Sequence, residues 1–202
     1  LLKNYIVLFY GENIGLINEF KKNIKESNKG KTLLTFSETE VLKNLENFVN
    51  EIKNTSLFGD EKIFFINDAS DKACELIDNY EKDLLNYKVY FFGSVLDKRS
   101  KLRNYFEKAK NFGVVPCYKD NDVSIKKIIL KKLRGFTGLT PEILNTLVEN
   151  STLDRVKLDN ELEKIKIFFQ NKQIKSEQID KLINEKSDED FDLIKENVLK
   201  GN

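Results

Sequence analysis

The chain has 202 residues, 40% hydrophobic and 33% charged, and its formal net charge is +1; this describes a folding protein without a global basic field, so any nucleic-acid contact has to come from a local patch. It contains no His and only two cysteines, Cys74 and Cys117, which excludes His-based acid–base or triad catalysis and leaves no ligand set for an imidazole or thiolate zinc site. No apolar run approaches the roughly 20 residues that span a bilayer, and two distant cysteines without a signal peptide point to a reducing, cytoplasmic setting.

In chain order, Tyr5-Ile6-Val7-Leu8-Phe9-Tyr10 is a β-branched and aromatic run that predicts a first strand, closed by Gly11. A helix follows, with Leu16, Ile17, Phe20 and Ile24 on one face. Thr32 to Phe36 predicts a second strand, and Ser37 is placed to cap a helix whose apolar stripe is Val41, Leu42, Leu45, Phe48, Val49 and Ile52. Strands are expected at Lys62 to Ile66, Val89 to Phe92 and Val114 to Tyr118, with a helix from a cap at Asp97 to about Lys110. Continuous apolar strands separated by helices imply crossovers and two buried sheet faces, hence an α/β fold with a mostly parallel, five-stranded sheet.

Beyond about Asp120 only helical patterns remain: Val123 to Leu133, a helix opened by Thr140-Pro141-Glu142, Leu153 to Phe169, and a last one after Ser176. The expected organisation is an α/β domain over residues 1–118 and a small all-helical lid over 119–186. Residues 187–202 read as the start of a further domain, most of which is missing. In the lid, Glu161, Glu163 and Lys164 read as paired surface charges. Cys117 reads as a small buried hydrophobe.

An α/β domain followed by a helical lid is the layout of AAA+ ATPases, so the first strand should lead into a phosphate loop. Such a loop needs glycines whose N–H groups wrap the phosphates, a Lys for the outer phosphates and a Ser or Thr for Mg²⁺. Here the place is held by Gly11-Glu12-Asn13-Ile14-Gly15-Leu16-Ile17. The leading glycine is present and the Gly-Lys-Ser/Thr is not, while Glu12 suits a helix N-terminus but repels phosphate. Asn67-Asp68 is a poor remnant of an acidic Mg²⁺ ligand position, since a lone Asp after a strand is more often a turn residue. Neither ATP hydrolysis nor a cofactor is expected.

Asn54-Thr55-Ser56-Leu57-Phe58-Gly59-Asp60 sets a Leu-Phe pair in polar surroundings. Continued at about 100° per residue from the preceding helix, Leu57 and Phe58 fall roughly 120–140° from the centre of its apolar arc, which directs them to water. The alternatives are a pair packed beneath a bend of the chain and an exposed two-residue anchor for a pocket on another protein.

Taken together, "YIVLFYGENIGLI", "TSLFGDEKIFFINDA", "VLDKRSKLRNYFEKA", "LTPEILNTLVENSTLDRVKLDNELEKIKIFF", "KQIKSEQIDKLI" and "FDLIKENVLKGN" resemble, in order, the delta-subunit family of the bacterial DNA polymerase III clamp loader. The "SLFG" and "LDKRSKL" stretches are the specific ones. The resemblance implies an AAA+-like fold with a silent phosphate loop. It implies a non-catalytic subunit that binds and opens the β sliding clamp for loading onto primed DNA, serving a nucleotidyltransferase holoenzyme. Leu57 and Phe58 match the family's clamp-binding anchor, with Thr55, Ser56 and Gly59 as its flanks. "FDLIKENVLKGN" matches the opening of the collar through which ATPase subunits and delta-prime would join. The setting it implies is the bacterial cytoplasm, at the nucleoid.

Two basic groups offer weak contacts to primer-template DNA: Lys98, Arg99, Lys101 and Arg103, and Lys127, Lys131 and Arg134 at i, i+4, i+7. The competing reading of both is a solvated charged face. Two other functions stay open at this stage: a P-loop-type ATPase with a degenerate motif, and a DNA-binding module with no clamp role.

Overall fold

The computed structural model describes residues 6–53 and 61–184. The chain divides after Lys119 into two compact units, residues 1–119 and 120–202.

The first unit is built on five parallel strands: β1 (Ile6–Tyr10), β2 (Thr32–Ser37), β3 (Lys62–Asn67), β4 (Lys88–Gly93) and β5 (Phe112–Pro116). Their order across the sheet is β2-β3-β4-β1-β5. Every residue of β1 is buried, because it lies between two partners: Leu8 pairs with Phe91 on one side and Val114 on the other. The expected α/β class and mostly parallel sheet are the observed ones. Strand β5 lies two residues earlier than the sequence suggests, which leaves Cys117 just past its end and fully buried.

Alternate residues feed the two faces. On one, Ile6, Leu8, Phe64, Ile66, Val89 and Phe91 pack with α2 (Glu38–Lys43), α3 (Leu45–Lys53), α4 (Ala73–Leu84) and α5 (Lys101–Lys108). On the other, Val7, Phe9, Ile63, Phe65, Tyr90 and Phe92 pack with Ile17, Phe20 and Ile24 of α1 (Ile14–Ser27). Phe9 touches the rings of both Phe20, at a 4.9 Å centroid distance, and Phe92, at 5.3 Å.

Three local expectations need correction. The helix expected from Ser37 to Ile52 is two helices. Ser37 caps α2 in a capping box with Glu40, but Asn44 leaves helical geometry at φ −133° and ψ 59°. Helix α4 was not anticipated. Finally, α5 is capped by Ser100, which accepts from the Arg103 N–H, whereas Asp97 caps the preceding turn by accepting from the Arg99 and Ser100 N–H groups.

The second unit contains α6 (Asp122–Lys132), α7 (Pro141–Ser151), α8 (Arg155–Phe168) and α9 (Ser176–Asn184) around Ile125, Ile129, Leu147, Leu158, Leu162, Ile165 and Ile179. Thr140 caps α7 with Pro141 at its first position. A buried fork fixes the start of α8: Arg155 donates to both oxygens of Asp120, at 2.6 and 3.0 Å, and Ser124 Oγ donates to the same carboxylate at 2.7 Å. Burial of an ion pair needs this kind of full satisfaction. The expected Glu161–Lys164 pair is present at 2.7 Å, alongside a Glu163–Lys166 pair. No described helix is long and apolar enough to cross a membrane.

Candidate functional site

The turn after β1 is where a phosphate loop would lie. Gly11 has φ +142°, and a Cβ there would come within 2.1 Å of the Cys117 carbonyl oxygen. Its N–H donates to Ser94 O at 3.0 Å. Asn13 follows as the N-cap of α1: its Oδ1 accepts from Leu16 N–H, its Nδ2 donates to Tyr118 O, and its backbone N–H donates to Cys117 O, each at 3.0 Å. Gly15 is the second residue of α1 rather than part of the loop, and Glu12 is exposed. The turn is therefore short and bonded to the segment after β5. Its Asn13 side chain occupies a helix N–H that a phosphate would otherwise use.

Beside the turn lies a cleft of about 430 Å³ at the carboxyl ends of β1, β3 and β4. Ile17 and Phe92 line it deep down, while Ile14 and Val95 are both well exposed at its edge. Asn67 and the exposed Asp68 line it at the end of β3, Asp68 in the left-handed region at φ 57°. Lys21 reaches in from α1: its Nζ donates to Asn67 Oδ1 at 2.7 Å and lies 4.5 Å over the Phe92 ring. Burial pushes the Lys21 pKa down, with the Asp68 carboxylate acting in the opposite direction. Among the described residues there is no cluster of three or more His, Cys, Asp or Glu suited to a metal.

Thr55, Ser56, Leu57, Phe58 and Gly59 lie outside the described residues, as do residues 187–202. The elements flanking that segment, α3 and β3, are described, and they are tied together. Lys62, opening β3, donates to Glu51 O at 2.8 Å and contacts its carboxylate at 3.1 Å in the last turns of α3. Tyr87 donates to Ile52 O in the same turns.

Of the basic candidates, Lys98, Arg99 and Lys101 are exposed. Arg103 is committed: its Nε donates to Glu107 at 2.8 Å and its guanidinium lies 5.3 Å over the Tyr10 ring. In the second group Lys127 and Lys131 are exposed one turn apart on α6, and Arg134 lies just past its end. Two further side chains join distant segments: Lys21, and Asp71, whose Oδ1 accepts from Ser100 Oγ at 2.6 Å and Leu102 N–H at 3.0 Å. Nothing in the sequence distinguishes Lys21 from its neighbours except its place one turn after Ile17 on the sheet-facing stripe.

The sheet order, the glycine turn after β1 and the cleft at the strand ends define a parallel α/β module of AAA+-like fold. The chain is 26% identical over 168 residues to the probable DNA polymerase III subunit delta of Rickettsia prowazekii (strain Madrid E), a match covering 81% of this chain and 50% of the relative. The chain thus spans about half the length of that curated relative. Among solved structures it is similar to the Bacillus subtilis DNA clamp loader delta protein, with a TM-score of 0.58, 14% identity, and coverage of 84% of this chain and 55% of that one. It is also similar to AMPPCP-bound DnaA from Aquifex aeolicus, with a TM-score of 0.54, 18% identity, and coverage of 91% and 60%. No family model matches the chain. The resemblance read from the sequence thus has a curated homologue and a structural neighbour of the same kind.

Proposed function

We propose that this chain acts in clamp loading as a delta-type subunit: it binds a ring-shaped sliding clamp and biases it open without hydrolysing ATP. The observation that carries this reading is the 168-residue similarity to a curated delta subunit. In support, the turn after β1 holds Asn13 where a phosphate loop needs open N–H groups, and carries neither the Lys nor the Ser/Thr.

On this reading Leu57 and Phe58 are the anchor. Burial of both in a clamp pocket contributes on the order of 3–6 kcal/mol gross. Association consumes part of that, so flanking contacts from Thr55, Ser56 and Gly59 are needed as well. The Lys62–Glu51 tie suits such an element, since fixing the ends of a short segment lowers the entropy lost when it docks. A subunit that binds the open ring better than the closed one shifts the ring toward opening, and no chemistry is required of it. ATPase partners, a collar to which residues 187–202 belong, and weak contacts to primer-template DNA from Lys98, Arg99, Lys101, Lys127, Lys131 and Arg134 belong to the same proposal.

The test is retention of the chain by immobilised sliding clamp. Wild type is retained, and Leu57→Ala/Phe58→Ala loses binding by at least tenfold with unchanged circular dichroism. Equal retention of both would refute the anchor. ATP turnover by the isolated chain would favour a P-loop ATPase instead, and DNA binding unaffected by the double substitution, without clamp binding, would favour a DNA-binding module.

A further inference from the structure

Lys21 is out of place for a surface lysine. Its neighbours along α1, Lys22 and Lys25, are exposed, which is the usual outcome because a flexible stem lets the ammonium reach water. Lys21 instead turns into the cleft and meets two attractive groups. The Asn67 amide oxygen accepts from it at 2.7 Å and the face of Phe92 lies 4.5 Å away, while the Asp68 carboxylate lines the same cleft. An amide oxygen and a ring face, with a carboxylate in the same cleft, offset part of the hydration a partly buried cation loses. The crevice outside the carboxyl ends of parallel strands is also where open α/β sheets take their ligands.

We propose that Lys21 is a tethered cation that occupies this crevice, holding the ends of β3 and β4 to α1 and excluding divalent cations and the phosphates they would carry. The chain thereby provides for itself the positive charge that an Asn-Asp pair at a strand end could otherwise draw from a metal ion. Two features make this an occupied site rather than a phosphate-binding lysine. The ammonium already donates to Asn67, and an incoming phosphate would meet the carboxylates of both Glu12 and Asp68 along the cleft. The proposal does not depend on the clamp reading, and either can fail while the other stands.

The experiment uses the whole chain with Mn²⁺ alone as the probe, free ion being followed by electron paramagnetic resonance at low ionic strength. Wild type and Lys21→Arg leave the free-ion signal unchanged. Lys21→Ala binds one Mn²⁺ at least tenfold more tightly than wild type, and adding Asp68→Asn abolishes the gain. Should Lys21→Ala fail to fold, Lys21→Met keeps the stem against Phe92 while removing the charge, and the same gain is expected of it. A folded charge-removing variant with no gain overturns the proposal. So does metal-free binding of a fluorescent ATP analogue that wild type shows and Lys21→Ala loses, because Lys21 would then be a phosphate ligand.

Discussion

At Gly11 the backbone takes φ +142° and passes so close to Cys117 that a Cβ would lie 2.1 Å from its carbonyl oxygen. Gly11→Ala therefore combines a backbone conformation that L-residues avoid with a clash against main chain, and should cost about 2–4 kcal/mol, read as a fall in the urea midpoint at constant slope. Asp71 makes a second prediction at this scale. The Ser100 hydroxyl, and then the Leu102 N–H, hold its carboxyl below the ordinary pKa of 3.8. A folded-state pKa lower than the unfolded one adds stability that is fully present above the ordinary value and disappears as pH falls through the depressed one. Asp71→Ala should thus cost about 1 kcal/mol at pH 6, and the gap to wild type should narrow below about pH 4 as the carboxylate protonates in both states. Chemical denaturation at the two pH values checks it.

At the scale of elements, Asn13 joins the start of α1 to the chain beyond β5 through its cap to Leu16 and its amide bond to Tyr118. Asn13→Ala should cost about 1–2 kcal/mol, and hydrogen exchange should show the first turn of α1 opening more readily than the rest. Phe106 on α5 is 1% exposed and packs its ring against those of Phe91 at 5.8 Å and Phe112 at 5.2 Å. Phe106→Ala should cost about 3–5 kcal/mol by thermal or urea unfolding. Elements with a clean signal were legible in the sequence: β1 and β3 as unbroken apolar runs, and α7 by its Thr-Pro opening. Helix α4 was missed for identifiable reasons. Lys72 makes no side-chain cap bond, Tyr80 breaks the helix at φ −127°, and the buried Ala73, Leu76, Ile77 and Leu84 are separated by polar residues. The break at Asn44 was equally invisible, since Val41, Phe48 and Ile52 are all buried despite it. Leu57 and Phe58 lie outside the described residues, so the direction assigned to them extends the phase of α3 beyond Lys53 by periodicity alone.

For the molecule as a whole, a net charge of +1 supplies no global basic field, so on the proposed reading any DNA affinity rests on local groups of exposed cations: Lys98, Arg99 and Lys101, and Lys127, Lys131 and Arg134. On the proposed reading, binding to primer-template DNA is weak and steeply salt-dependent. Replacing Lys127 or Lys131 by Ala should flatten the log K against log salt slope by about 0.9 for each phosphate contact removed. Arg103→Ala should change the slope far less, because that guanidinium is already paired with Glu107. Fluorescence anisotropy across a salt series distinguishes the two outcomes.

The order of apolar runs and helical stripes was enough to set the α/β class, the parallel sheet, the helical second part and the absence of phosphate-loop residues, because each depends on local periodicity or on residues that are simply missing. The contacts between segments far apart in the chain were decided only in three dimensions. Lys21 meets Asn67, Asp71 meets Ser100, Asn13 meets Tyr118 and Asp120 meets Arg155. Whether a charged side chain faces water or closes a cleft depends on which distant strand end lies beside it, and that is a property of the assembled sheet rather than of any window of sequence.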